Sequence, residues 1–325
     1  MSPVLRGPTG PMVGLCRPLW SGLAKTFSFE GALKRYIQPH RPDGEEQNAP
    51  GSVMPWRIWR LADHRVEAVE GGVVVEEPLE IRLNEDPVAV LMRSPGMEKE
   101  LAAGFCLGEG FVSDLMDIAL VRHCGRAGPS DAAEGDALDV SRNRVDVTLM
   151  PDVSMASEPG DVVQLIRSGC GRAGVSVLLE NLKPVEAKLT VSMETLQRLP
   201  GQITRQQAAY RMAGGVHAAA VFDAQGRVIV VCEDIGRHNA LDKAAGYCLL
   251  RGISLQDKMV VSTGRASYDM VSKAVRLGVP IVASISSPTS LAVELAESLN
   301  CTLLGYLRGK TLNIYTHRWR VSGAK

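Results

Sequence analysis

Residues 216–250 read VHAAAVFDAQGRVIVVCEDIGRHNALDKAAGYCLL, and they decide the fold. Two runs of Val, Ile, Ala and Phe, 216–222 and 227–232, flank Asp223-Ala224-Gln225-Gly226. Turn residues between apolar runs predict a β-hairpin. The period then changes. Leu241, Ala244, Ala245, Cys248 and Leu249 recur at three- and four-residue spacing, the stripe of a helix. Asn239 with Asp242 three residues on reads as close to a capping box opening that helix.

Moving outward, strand and helix signals keep alternating. Residues 259–262 read as a buried strand. Met270, Ala274 and Leu277 mark a second helix, closed by Gly278 and Pro280. Residues 281–285 read as a strand. Ser287 and Pro288 are read as N-cap and first position of a third helix, with Leu291, Leu295 and Leu299 on one face. Two final strands, 303–307 and 312–315, surround Arg308-Gly309-Lys310. This alternation implies an α/β sheet covered on both faces.

Toward the N-terminus the pattern weakens. Residues 73–75, 79–83 and 88–92 are β-like runs separated by Pro78 and Pro87. Met97, Leu101, Phe105 and Gly108 predict a helix with one buried face. Residues 126–139 read as a long loop and 145–149 as a strand. A second loop, 151–161, places a hinge between domains. Eight of the eighteen prolines fall before residue 56, and residues 1–53 read as a disordered extension. The expected organisation is therefore 1–53 extension, 54–160 a smaller α+β domain, and 161–325 the larger α/β domain.

Composition narrows the function. In 325 residues, 36 Lys and Arg balance 36 Asp and Glu. A protein that coats nucleic acid or an anionic membrane usually carries a basic excess. Aromatics are 5%, so stacking surfaces for single strands are scarce. No apolar run approaches the ~20 residues of a membrane helix. Nucleic acid and membrane are therefore not expected partners. The seven cysteines are odd in number and widely spaced, with no C-x-x-C pair and no convincing signal peptide, which points to a reducing cytoplasm.

Several segments could carry chemistry. Cys170 sits between Gly169 and Gly171 with Arg167 and Arg172 nearby, a setting that favours thiolate; an ordinary loop cysteine is the alternative. Residues 233–239, Glu-Asp-Ile-Gly-Arg-His-Asn, join a strand to a helix where ligands bind in α/β sheets. The structural alternative there is an N-cap at Asn239 with Asp234 pairing Arg237. The loop Ser262-Thr263-Gly264-Arg265-Ala266-Ser267 could present N–H groups and a guanidinium to an anion. Ser286-Ser287-Pro288-Thr289-Ser290 adds hydroxyls, and plain helix capping would explain both loops. Tyr306, Leu307, Arg308, Gly309, Lys310 and Thr311 form a basic, aromatic hairpin tip suited to a phosphate and a flat base, or simply a solvated turn.

The stretch EDIGRHNALDK (233–243) closely resembles the formate dehydrogenase accessory sulfurtransferase family, FdhD/NarQ. So do AGGVHAAAVFD (213–223), TGRASYDMVSKA (263–274), SPTSLAVELAE (287–297), LRGKTLNIYTH (307–317) and LAAGFCLGEGFV (101–112). The resemblance covers roughly residues 60–317. It implies a sulfur carrier that takes persulfide sulfur from a cysteine desulfurase and passes it to the molybdenum bis(guanine dinucleotide) cofactor, which is bound as a substrate and which formate dehydrogenase needs. It also implies a homodimer and a larger domain with a cytidine-deaminase-like, three-layer fold.

By the same resemblance, Cys170 matches the first cysteine of a family C-x-x-C motif and carries the persulfide. Ala173 stands at the second; a carrier needs one thiolate only. The guanine-dinucleotide contact maps onto Tyr306 to Thr311. Deaminase chemistry is not implied: His217-Ala218-Ala219 lacks the glutamate of H-x-E and there is no P-C-x-x-C, so no zinc is expected. A second reading is a non-catalytic chaperone of the molybdenum cofactor, and a third is a nucleotide-binding regulator.

Overall fold

The computed structural model describes residues 51–124, 143–151, 153, 164–166 (backbone) and 182–323. All belong to one compact unit, Glu46–Lys325. Cys170, the extension up to residue 50 and the loops at 126–139 and 154–161 lie outside the described residues.

In chain order the elements are β1 (Val53–Ala62), β2 (Arg65–Val74), β3 (Glu77–Leu83), β4 (Asp86–Arg93), α1 (Glu98–Gly108), β5 (Ile118–His123), β6 (Arg144–Leu149), β7 (Gln164–Ile166), β8 (Val191–Ser192), α2 (Met193–Gln206), α3 (Ala208–Ala213), β9 (His217–Phe222), β10 (Val228–Asp234), α4 (Arg237–Leu249), β11 (Met259–Ser262), α5 (Tyr268–Arg276), β12 (Ile281–Ser284), α6 (Ser290–Ser298), β13 (Thr302–Arg308), β14 (Thr311–Ile314) and β15 (Val321–Ser322). The chain is an α/β protein.

The expected C-terminal alternation builds a six-stranded sheet in the order β10-β9-β11-β12-β13-β14. β11, β12 and β13 run parallel; β9 is antiparallel to both β10 and β11. Side chains alternate across the sheet, as strand geometry requires. Ala219, Val221, Val260, Val282 and Leu303 pack with Leu241, Ala244, Met270, Ala274 and Leu295 of α4, α5 and α6. Ala218, Ala220, Phe222, Val261 and Leu304 face the other way, against Leu196, Leu199 and Ile203 of α2. Helices thus cover both faces.

The second sheet has five strands, β5-β6-β3-β4-β7. Pro78 and Pro87 do not separate its strands; each is the second residue of one. Pro78 precedes the β6 pairing, which begins at Glu80, and Pro87 lies at the register shift between β3 and β4, so neither removes an inner ladder bond.

α1 is not buried on one face only. Every residue from Leu101 to Gly108 is buried. Its large side chains join Leu79, Ile81, Val145 and Val147 in the core of the five-stranded sheet. Its glycine side meets α4. A Cβ on Gly104 would stand 2.0 Å from the Asp242 carbonyl oxygen, and one on Gly246 would stand 1.9 Å from that of Glu100. Glycine on both helices is what lets these backbones touch. A buried ion triad lies beside the crossing: Lys273 Nζ is 2.6 Å from Asp242 Oδ2 and 2.9 Å from Glu109 Oε1.

β1 and β2 form a separate ribbon in unbroken antiparallel register. Trp56, Trp59, Leu61 and Val66 on it are exposed. Among the described residues, no helix is long and apolar enough to cross a membrane.

Candidate functional site

The carboxyl ends of β10, β11, β12 and β13 share one edge of the six-stranded sheet. His217, which opens the antiparallel β9, joins them opposite Asp234. Ligands of open α/β sheets bind at such an edge.

The Glu233–Asn239 connection divides into structural and available groups. Glu233 accepts the Ala209 N–H at 2.8 Å and the Tyr210 N–H at 2.9 Å, holding the start of α3. Asp234 is fully buried. It accepts from the Ser94 and Gly236 N–H groups and from Asn239 Nδ2, and pairs with Lys243 Nζ at 2.7 Å. Lys243 also donates to the Ser94 carbonyl at 2.8 Å. The pair is thus Asp234–Lys243 and not the Asp234–Arg237 of the structural alternative, and four donors satisfy one desolvated carboxylate. Asn239 is no cap. α4 begins at Arg237 after Gly236, and the Asn239 amide is spent on Asp234 and the Met92 carbonyl. Arg237 and His238 are left at the edge, both partly exposed.

The next two loops are laced together. Ser262 Oγ accepts the Gly264 N–H, and Thr263 Oγ1 accepts the Ala218 N–H. Ser284 Oγ donates to the Gly264 carbonyl at 2.6 Å and accepts the Ser286 N–H. Ala266 and Pro288 form an isolated bridge. Because that bridge consumes residues 287–289, α6 starts at Ser290 behind Thr289, not at Ser287 and Pro288. Capping does not explain the hydroxyls: Gly236, Ser267 and Thr289, the N-caps of α4, α5 and α6, make no side-chain cap hydrogen bond. Three helix starts at one edge thus keep their N–H groups free of side-chain caps.

Electrostatics at the edge are set by burial and by neighbouring cations. Burial first, then Lys273, Arg237 and His217, push the His238 imidazole down to about 3. Burial and Arg237 lower His217 as well, against the pull of Asp234. Both rings are neutral at neutral pH. His238 Nε2 lies 3.5 Å from Ser267 Oγ and 3.9 Å from Asp269 Oδ2.

The Tyr306–Thr311 tip follows on the same edge. A register shift between Gly305 and Arg308 and a left-handed Tyr306 (φ 51°) turn that ring outward, where it is 41% exposed. The Arg308 guanidinium carbon sits 5.6 Å from the ring centroid, and its Nε donates to the Ile285 carbonyl. The Tyr306 N–H donates to the Ser286 carbonyl, tying the tip to the neighbouring loop. Gly309 supplies the positive φ of the turn. Lys310 is anchored through its carbonyl by Gln197 Nε2, and Thr311 Oγ1 donates to the Arg308 carbonyl. The Leu307 side chain is fully buried in the α2-side core, so it offers a ligand only its backbone.

Among the described cysteines, burial raises the Cys106, Cys248 and Cys301 thiols to about 12 and pushes Cys232 up too. They are core thiols, without the thiolate that reactivity requires. Cys124 donates to Asp146 Oδ2 at 2.9 Å. Sequence reasoning missed Lys243, whose helical position gave no sign of a charge buried against Asp234. The structural alternative it offered, Asp234 pairing Arg237, does not form; Asp234 pairs with Lys243.

The comparisons agree with this geometry. The chain matches the FdhD/NarQ family over residues 74–322. It is 38% identical over 273 residues to the "Sulfur carrier protein FdhD" of Mycobacterium tuberculosis, spanning 82% of this chain and 97% of the relative. It is 36% identical over 273 residues to the protein of that name in Saccharolobus solfataricus, spanning 83% and 98%. A solved structure described as a formate dehydrogenase accessory protein from Desulfotalea psychrophila superposes with a TM-score of 0.67 at 25% identity, covering 83% of this chain and 99% of that one. With the family matched over residues 74–322 and relatives matched over nearly their whole length, the chain belongs to the FdhD/NarQ family.

Proposed function

We propose that this protein is a sulfur carrier for formate dehydrogenase, moving persulfide sulfur from a cysteine desulfurase to a molybdenum bis(guanine dinucleotide) cofactor bound as substrate. The observation that carries the reading is the match over 97–98% of the length of relatives named as sulfur carriers. In this reading Cys170 is the carrier. Its thiolate attacks the outer sulfur of the donor's persulfide, and the donor cysteine leaves as thiolate. In sequence, Cys170 stands between Gly169 and Gly171 with Arg167 and Arg172 nearby, a composition that suits a reactive thiolate. Burial keeps the Cys106, Cys232, Cys248 and Cys301 thiols protonated, which supports the choice against those four.

Tyr306 to Thr311 receive the guanine end of the cofactor: Tyr306 offers an exposed ring, with Arg308 and Lys310 as phosphate partners. The reading extends to a cytoplasmic homodimer, to a cytidine-deaminase-like character for the three-layer unit, and to the partition 1–53, 54–160 and 161–325. Ala173, in place of the family's second cysteine, favours one alternative, a chaperone that binds the cofactor without transferring sulfur. Complementation separates the two. In a strain lacking its own accessory protein, Cys170→Ala abolishes formate dehydrogenase activity if sulfur passes through this residue. Restored activity selects the chaperone.

A further inference from the structure

The β1–β2 ribbon has more apolar surface than the rest of the chain covers. From Pro55 to Ala68 every residue of it is exposed. Its base is held by α3: a Cβ on Gly72 would meet the Met212 carbonyl oxygen at 3.1 Å and Ala213 Cβ at 3.4 Å. Yet ten residue pairs keep one unbroken register out to the tip. A two-stranded ribbon alone in water is marginal and needs a further layer to hold it.

The register gives the ribbon two apolar faces. Trp56 and Ile58 share one with Val69, and Trp59 and Leu61 share the other with Val66. Trp59, Leu61 and Val66 are 67%, 71% and 64% exposed. Each face also sets one arginine opposite one glutamate, Arg60 with Glu67 and Arg57 with Glu70. Over the whole ribbon Arg57, Arg60 and Arg65 balance Asp63, Glu67 and Glu70. A ribbon without net charge selects neither an anionic membrane nor nucleic acid. It does suit its own copy. In a twofold interface a patch meets itself, so a face carrying both signs can set arginine against glutamate and ring against aliphatic chain.

We propose that the β1–β2 ribbon is an arm that packs against a second copy of this chain, with one face on the second copy's ribbon and the other on its body. Tyr210 and Met212 of α3, exposed beside the ribbon's base, give the body an apolar landing place. Size agrees. Ten residues at ~3.3 Å and two strands at ~4.8 Å make a face of about 330 Å². Ribbon on ribbon buries about twice that area and the two ribbon–body contacts about four times it, together about 2,000 Å², the size of a specific, stable interface. The exposed part of the ribbon precedes residues 74–322, over which the family is matched. The inference names a surface for the homodimer of the proposed function and rests on that part of the reading alone.

Light scattering on the full chain, joined to hydrogen exchange of the ribbon amides, tests it. The wild type is a dimer at micromolar concentration. Trp59→Glu combined with Leu61→Glu, both at exposed positions, weakens the dimer by about a hundredfold or more, as loss of two interface anchors does, and leaves a monomer with the wild-type circular dichroism. Met116→Glu, at a site 80% exposed just before β5, leaves the dimer intact. In the wild type the ribbon amides exchange slowly above the dissociation constant and fast below it, a readout that needs no variant. A dimer that survives the double substitution, or ribbon amides that exchange equally fast in dimer and monomer, overturns the arm and leaves the homodimer standing. A monomeric wild type overturns both. Neither failure touches sulfur transfer by Cys170, which complementation reads separately.

Discussion

Gly246→Ala tests the contact that fixes the functional edge against the five-stranded sheet. The added carbon would lie 1.9 Å from the Glu100 carbonyl oxygen, where ordinary contact begins near 3.4 Å. The obstacle is backbone within a helix, so no side chain can rotate away. α1 and α4 must therefore part by about 1.5 Å in a core packed to crystal-like density. Over-packing typically costs about 1–3 kcal/mol, and a backbone clash belongs at the top of that range or above, so a loss of about 3 kcal/mol or more is expected. The same separation loosens the Asp234–Ser94–Lys243 cluster that orients Arg237 and His238, so activity in complementation should fall with stability. Urea denaturation followed by circular dichroism measures the loss. Gly201→Ala is the control. Gly201 lies in α2 with nothing within 4 Å of its added carbon, so alanine should stabilise by about 0.5–1 kcal/mol. A Gly246→Ala protein within about 0.5 kcal/mol of wild type would refute the close helix crossing.

Three further outcomes are expected. His238 is held neutral down to about 3, whereas an unfolded histidine titrates near ~6.5; the unfolded chain alone takes up that proton, so stability is present above ~6.5 and falls by about 1.4 kcal/mol per pH unit below it. His238→Gln should remove that share of the acid slope, and equal losses for wild type and variant between pH 7.5 and 5.5 would count against it. Asp234→Asn strands Lys243 beside a neutral amide and should cost about 3–5 kcal/mol, read from denaturant midpoints; a change under about 1 kcal/mol would mean the pair is not buried as described. Cys232→Ala should lose about 1 kcal/mol or more through packing yet still support formate dehydrogenase, while a loss of activity at full stability would give that thiol a role in sulfur transfer.

The C-terminal half of the fold was legible because its signals are local. Buried parallel strands give unbroken apolar runs, and the α4 stripe repeats at helical spacing. The β1–β2 ribbon was not legible, because Trp56, Ile58, Trp59 and Leu61 fall on both of its faces and no face alternation separates core from solvent. α1 looked one-sided because glycine, alanine and cysteine score as weakly apolar, although these small residues are what let it be buried on every side. At the site, the residue types were readable but their division was not. Glu233, Asp234, Asn239 and Lys243 turned inward and Arg237 and His238 did not, a distinction set by contacts with Ser94, Met92 and Ala209 far away in sequence.

In the proposed function sulfur travels on Cys170. Intact-protein and peptide mass spectrometry after incubation with a cysteine desulfurase and cysteine tests it most directly. The Cys170 peptide should gain one sulfur atom, reversed by thiol reductant and absent from Cys170→Ala. A Cys170 peptide left unchanged by an active desulfurase, or the added sulfur found on Cys124, would contradict it.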